Sequence, residues 1–224
     1  MARARQERAE LTRQSILDAA ARAFDVTGFA GTSLGDVVRL AGVTKGALYF
    51  HFPSKEALAR TLIDEQDQIF RVAPGTGEPG LQTLIDLTHR MAFGLRTNVR
   101  VRAGIRLVIE LGFLTDPQAT PYDGWIGTCH GCLARAQRRG DILSALDVYG
   151  LSTMLVGSFS GIQAASHMRT RRMDLHTRVL DLWNFLLPGI VPAHRISRFD
   201  PAGSPACRAE LGLMALDSPP VPVG

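Results

Sequence analysis

The 224-residue chain is expected to be all-α, with about nine helices. Three observations carry that expectation. Apolar residues recur at three- and four-residue spacing, no period-two alternation is sustained, and the periodic stretches are separated by short Gly/Pro-containing breaks. At 46% hydrophobic and 21% charged residues, the composition is that of a globular protein of one large or two small domains. No run approaches the roughly 18 uncharged apolar residues of a membrane span, and the opening MARARQERAELTRQ has no apolar h-region, so a cytoplasmic location is expected.

After an opening helix, the first sharply delimited element holds Leu34, Val37, Val38 and Ala41 at i, i+3, i+4 and i+7, one apolar stripe of a short helix. Thr32 or Ser33 can cap its start, and Gly42 tolerates the turn that ends it. Thr44 can cap a second short helix whose apolar side is read as Ala47, Leu48 and Phe50, leaving Thr44, Lys45, Gly46 and Tyr49 to face outward. Apolar spacing then predicts helices over 54–71, 81–97, 99–114, 122–139, 148–169 and 175–187, the last stopping before Pro188-Gly189. Breaks are expected at PGTGEPG (74–80) and TDPQATP (115–121), with a structureless tail from about Ser197, where DPAGSPA and SPPVPVG occur. The domain reading is 1–53, 54–196 and a flexible 197–224.

Two short helices joined by three or four residues that include a glycine form a helix-turn-helix, whose second helix enters the DNA major groove with its N-terminal residues at base edges. The residue types suit that role. Lys45 can bond to guanine or phosphate, Thr44 can bond to phosphate or touch a thymine methyl, and Gly46 lets the backbone approach the duplex. Tyr49 and His51 offer polar tips for phosphate oxygens, and Lys55 lies in the first turn of the next helix, where an anion is favoured. With Thr32 and Ser33 these are the candidate DNA-binding residues. The pI near 9.3 agrees, and residues 1–60 hold nine Lys/Arg against six Asp/Glu. Arg3, Arg5, Arg8 and Arg13 read as a basic arm following a DNA backbone, or as a solvated disordered arm. An ordinary helical hairpin with a solvated face is the bland alternative.

The residues Ile16, Ala20, Phe24, Gly28-Phe29, Thr32-Ser33-Leu34, Val37-Val38, Ala41-Gly42-Val43, Lys45-Gly46-Ala47-Leu48-Tyr49, His51-Phe52, Lys55 and Leu58 resemble the DNA-binding domain of TetR-type repressors. The resemblance implies a three-helix DNA-binding domain followed by a helical ligand-binding and dimerisation domain. It also implies that the last two helices pair with their twofold mates. Leu151, Leu155, Phe159 and Ile162 on one, with Val179, Leu182, Trp183, Leu186 and Leu187 on the other, supply apolar surface for a homodimer interface or for an intramolecular core.

A narrower resemblance, to the γ-butyrolactone autoregulator receptors, rests on VTKGALYFHF, a Leu-Ala pair before Gln66, VRAGIRL at 101–107 and the Tyr-Asp-Gly-Trp stretch. It implies that Trp125 lines a signal pocket and that Gln66 is a polar pocket position. Phe159 falls where some lactone receptors carry a small hydroxyl residue. That ring and the basic pI point instead toward pseudo-receptors, whose signal is an antibiotic or a biosynthetic intermediate.

Cys129-His130-Gly131-Cys132 has the spacing of a redox motif or half a zinc site, but no second CxxC or nearby His pair accompanies it. No G-x-S-x-G, phosphate-cradling glycine loop or carboxylate cluster is present, so no enzyme, metal or cofactor is expected. The expected partners are operator DNA, a small-molecule inducer and a second copy of the chain, with no membrane. A redox- or metal-responsive regulator and a non-regulatory DNA-organising protein are the remaining readings.

Overall fold

The computed structural model describes residues 2–70, 79–111 and 121–213, with the side chains of residues 2, 3, 67–70 and 121 left aside. The breaks at 74–78 and 115–120, the end of the 99–114 helix and the last eleven residues lie outside them. Among the described residues there are ten α-helices, one 3-10 helix and no strand. None of these helices is long and apolar enough to cross a membrane. The chain divides into two compact units, residues 1–68 with 97–123, and 69–96 with 124–224.

The first unit is built on α1 (Ala2–Gly31), α2 (Leu34–Ala41), α3 (Lys45–His51), α4 (Lys55–Phe70) and α6 (Val99–Leu111). Residues 2–14, read as an arm, continue α1 as helix. Ile16, Leu17, Ala20 and Phe24 of α1 share one buried cluster with Val37, Leu48, Phe52, Leu58 and Leu62, and with Ala103 and Leu107 of α6. This unit is therefore larger than residues 1–53. The helix-turn-helix alone is too small to close a core, and α4 and α6 supply the missing wall.

The second unit holds α5 (Leu81–Thr97), α7 (Pro121–Arg138), α8 (Val148–Thr170) and α9 (Leu175–Ile190), then a 3-10 helix (Ala193–Arg198) and α10 (Pro205–Leu211). Two expectations are corrected here. The last long helix passes through Pro188 to Ile190, because proline removes one hydrogen bond in the final turn while Val191 N–H still closes on the Leu187 carbonyl at 2.9 Å. Residues 197–213 are ordered against α5. The buried Asp86 carboxylate accepts from the Ser204 N–H and hydroxyl, both at 2.7 Å, Arg90 pairs with Glu210 at 2.8 Å, and Cys207 is fully buried. Trp183 of α9 donates to Thr88 Oγ1 at 2.8 Å, so that ring is core, as are Val179 and Leu187. Phe185, on the opposite side of α9, is 85% exposed.

Candidate nucleic-acid interface

Short-range hydrogen bonds set the geometry of the helix-turn-helix. Ser33 is the N-cap of α2: its hydroxyl accepts from Asp36 N–H at 3.1 Å while the Asp36 carboxylate reaches back to Ser33 N–H at 3.2 Å, a reciprocal capping box. The Ser33 hydroxyl, then Arg39, hold the Asp36 carboxyl down at about 2. Gly42 ends α2 at φ 66, the left-handed region that favours glycine. Thr44 caps α3 by accepting from Ala47 N–H at 3.1 Å.

That geometry sorts the candidate residues. Thr44, Lys45, Gly46 and Tyr49 are exposed on α3, with His51 half-buried at its end. Where a Gly46 Cβ would stand, the nearest protein atom is Thr44 Oγ1 at 3.9 Å, so packing within the chain places no demand on that glycine. Thr32 is different. Its side chain is buried, donating to Gly28 O at 2.7 Å and sharing a hydrogen bond with Thr27 Oγ1 at 2.8 Å, so it holds the turn and does not face solvent. Of the two candidate caps it is Ser33 that caps α2.

Lys55 is tied to the turn between α1 and α2. Its ammonium donates to the Phe29 and Thr32 carbonyls at 2.8 and 3.0 Å and lies 4.3 Å from the Phe29 ring centroid. An ammonium has three donors, and these two carbonyls take two of them. Phe50, assigned above to the apolar side of α3, is 80% exposed beside Tyr49, while Leu48 is fully buried. Phe50 is thus a surface residue that the periodicity placed on the wrong side. An aromatic edge standing in water has the chemistry to meet thymine methyl groups.

The ligand candidates fall in different units. Trp125 of α7 and Phe159 of α8 are both buried in the second. Gln66 of α4 is buried in the first, packed on Gly104 of α6 so closely that a Cβ there would lie 2.7 Å from its own. Among the described residues neither Gln66 amide atom has a hydrogen-bond partner. Burying an amide unsatisfied costs about 1–3 kcal/mol.

The thiols of Cys129 and Cys132 are free and buried. Burial, with the second thiol nearby, pushes Cys129 up to about 12, and burial raises Cys132 as well, the reverse of what a reactive thiolate needs. Among the described residues no three His, Cys, Asp or Glu gather as a metal site.

A family model described as bacterial regulatory proteins of the tetR family matches residues 16–62, and one described as the tetracyclin repressor-like C-terminal domain matches 79–192. The chain belongs to the TetR family. Among curated relatives, the A-factor receptor protein of Streptomyces griseus is 40% identical over 89% of this chain and 71% of its own length. A solved γ-butyrolactone receptor, described as ArpA-like, is 32% identical with a TM-score of 0.71, covering 92% of this chain and 98% of that one. The TetR family protein CprB of Streptomyces coelicolor, solved in complex with its operator, is 34% identical with a TM-score of 0.74, covering 85% of this chain and 94% of that one. The TetR assignment makes this a DNA-binding repressor related to γ-butyrolactone receptors.

Proposed function

We propose that this TetR-type repressor binds a palindromic operator as a homodimer and is released by a small signalling molecule of the γ-butyrolactone class. The observation that carries the ligand class is the 40% identity over 89% of the chain to a protein named for the A-factor signal it receives. On the DNA side, Ser33, Thr44, Lys45, Gly46, Tyr49 and His51, with the spare donor of Lys55, meet the duplex. Lys45 works at the groove and Ser33, Tyr49 and His51 along the phosphates. The exposed Phe185 and its neighbours on α9 supply the twofold contact, and two heads about one DNA turn, roughly 34–36 Å, apart read the half-sites. Trp125 stacks on the signal in the second unit. Gln66 supplies a polar pocket position within the first unit, on the ground that among the described residues neither of its buried amide atoms finds a hydrogen-bond partner.

A ligand changes operator affinity only through its differential affinity for two states of the protein. The test is binding of the full chain to labelled DNA from upstream of its own gene, titrated with a γ-butyrolactone panel and then with extract of the producing cells. Wild-type protein is expected to release DNA with a lactone, and Trp125→Ala to bind DNA normally but stay bound. Release of Trp125→Ala at the same lactone concentration would exclude Trp125 from the pocket. One observation favours the second reading: the large Phe159 ring is buried, at a position where the resemblance implies that some lactone receptors carry a small hydroxyl residue. Release by extract alone would make the signal an antibiotic or a biosynthetic intermediate.

A further inference from the structure

The segment that joins α1 to α2 is gripped by α6 at a residue the functional reading does not use. Backbone geometry leaves the helix at Gly28 (φ 73, ψ −178), which orphans the next amide. Glu110, in the last turn of α6, takes it: Phe29 N–H donates to Glu110 Oε2 at 2.6 Å. Arg106 Nε donates to the other carboxylate oxygen at 2.6 Å, and Arg106 also donates to the Asp25 carbonyl at 2.7 Å, just before the break. Burial opposes ionisation, yet these bonds from Arg106 and Phe29 hold the Glu110 carboxyl below its ordinary range.

Gly28 is required there twice over. Its φ is positive, and a Cβ would lie 2.5 and 2.7 Å from the two Glu110 oxygens. The seam continues along α6, where Arg102 pairs with Asp25 at 2.8 Å and Arg100 with Asp18 at 2.7 Å and Glu65 at 3.1 Å. From the other side Lys55 holds the Phe29 and Thr32 carbonyls. Next to Thr32 stands Ser33, the cap from which α2 and then α3 depart. A carboxylate repels phosphate, so Glu110 gains nothing from touching DNA.

We propose that Glu110 is a positioning residue for operator recognition: by accepting the Phe29 N–H it sets the angle at which α2 and α3 leave α1. The assignment rests on the DNA-binding reading above. The exposed ion pair contributes little to stability, and the one amide bond lost with it loosens the turn without unfolding the unit. Non-operator DNA, held by phosphates alone, tolerates a loosened head, whereas base readout does not.

The test uses the full chain, a duplex that wild-type protein selects from a randomised pool, and a scrambled duplex of equal composition, all at one salt concentration. Glu110→Ala is expected to lose about tenfold in affinity for the selected duplex. Its affinity for the scrambled duplex should be unchanged, and its thermal midpoint should fall by no more than a few degrees. Glu110→Gln, which keeps an acceptor for Phe29 N–H in a side chain of equal size, should recover most of the loss. Equal loss on both duplexes, unchanged affinity of Glu110→Ala for the selected duplex, or a Glu110→Gln as weak as Glu110→Ala overturns the assignment. A wild-type protein that selects no duplex overturns the DNA-binding reading itself, and that failure is visible before any variant is measured.

Discussion

Leu48 and Phe50 are two residues apart on a seven-residue helix, and the structure gives them opposite fates, 0% and 80% exposed. Truncating each to alanine should therefore affect different properties. Leu48→Ala empties a site in the core formed with Phe24, Val37 and Phe52, and removing a buried leucine costs about 2–5 kcal/mol. For a chain of this length that lowers the thermal midpoint by on the order of 10 °C. Phe50→Ala removes a ring already in water, so stability should change by no more than about 0.5 kcal/mol. Operator affinity should fall instead. Loss of base contact by one side chain is worth roughly 1–3 kcal/mol, about 5- to 150-fold. Thermal unfolding by circular dichroism at fixed protein concentration gives the first quantity, and fluorescence anisotropy with a labelled operator at fixed salt gives the second. A Phe50→Ala protein that melts as low as Leu48→Ala would place the ring in the core. One that keeps full operator affinity and stability would show that this side of α3 does not meet the groove.

Lys55→Met keeps the apolar stem and removes both carbonyl bonds, so it should lower stability by about 1–3 kcal/mol in urea titration; a purely DNA-contacting lysine would leave the midpoint alone. Asp86→Ala strips the acceptor from Ser204 and Gln82 and should release residues 200–211 from α5, read as faster amide exchange confined to that segment. Acid should weaken the second unit through its histidine pair. His89 Nε2 faces the Pro201 carbonyl at 2.9 Å and so carries the proton, which leaves its Nδ1 to accept from His176 Nδ1 at 3.4 Å and His176 Nε2 as a bare buried acceptor. Burial, then His89 and Arg96, push His176 down to about 4 from 6.5. The unfolded chain thus binds more protons between those values, and stability is full above about 6.5 and falls as pH drops toward 4, by on the order of 3 kcal/mol at about 1.4 kcal/mol per unit. Denaturant midpoints across that range should decline in wild type and flatten in His176→Leu.

The all-helical class, the short helix at Leu34–Ala41 and its Gly42 stop were legible in the residues because spacing and caps act within a turn or two of chain. The same holds for the outward Thr44, Lys45, Gly46 and Tyr49. Phe50 was not legible, since a helix of under two turns is too short for periodicity to tell its sides apart. Whether Thr32 or Ser33 caps α2 was also open until Thr32 was seen bonded to Gly28 and Thr27.

The larger features that only the tertiary structure decided are pairings across long stretches of chain. The Glu110 carboxylate meets an amide 81 residues earlier, and Ser204 meets Asp86 across 118 residues, turning an expected loose tail into part of a folded unit. A Gly/Pro/Ser-rich segment reads as structureless when its own atoms are all that is counted. It becomes ordered when a buried carboxylate elsewhere needs donors, because an unsatisfied buried charge costs more than fixing a few flexible residues. Local chemistry in the sequence therefore determined what this protein carries toward DNA. Long-range hydrogen bonding and packing decided how that head is held, and which of its side chains are left free to touch it.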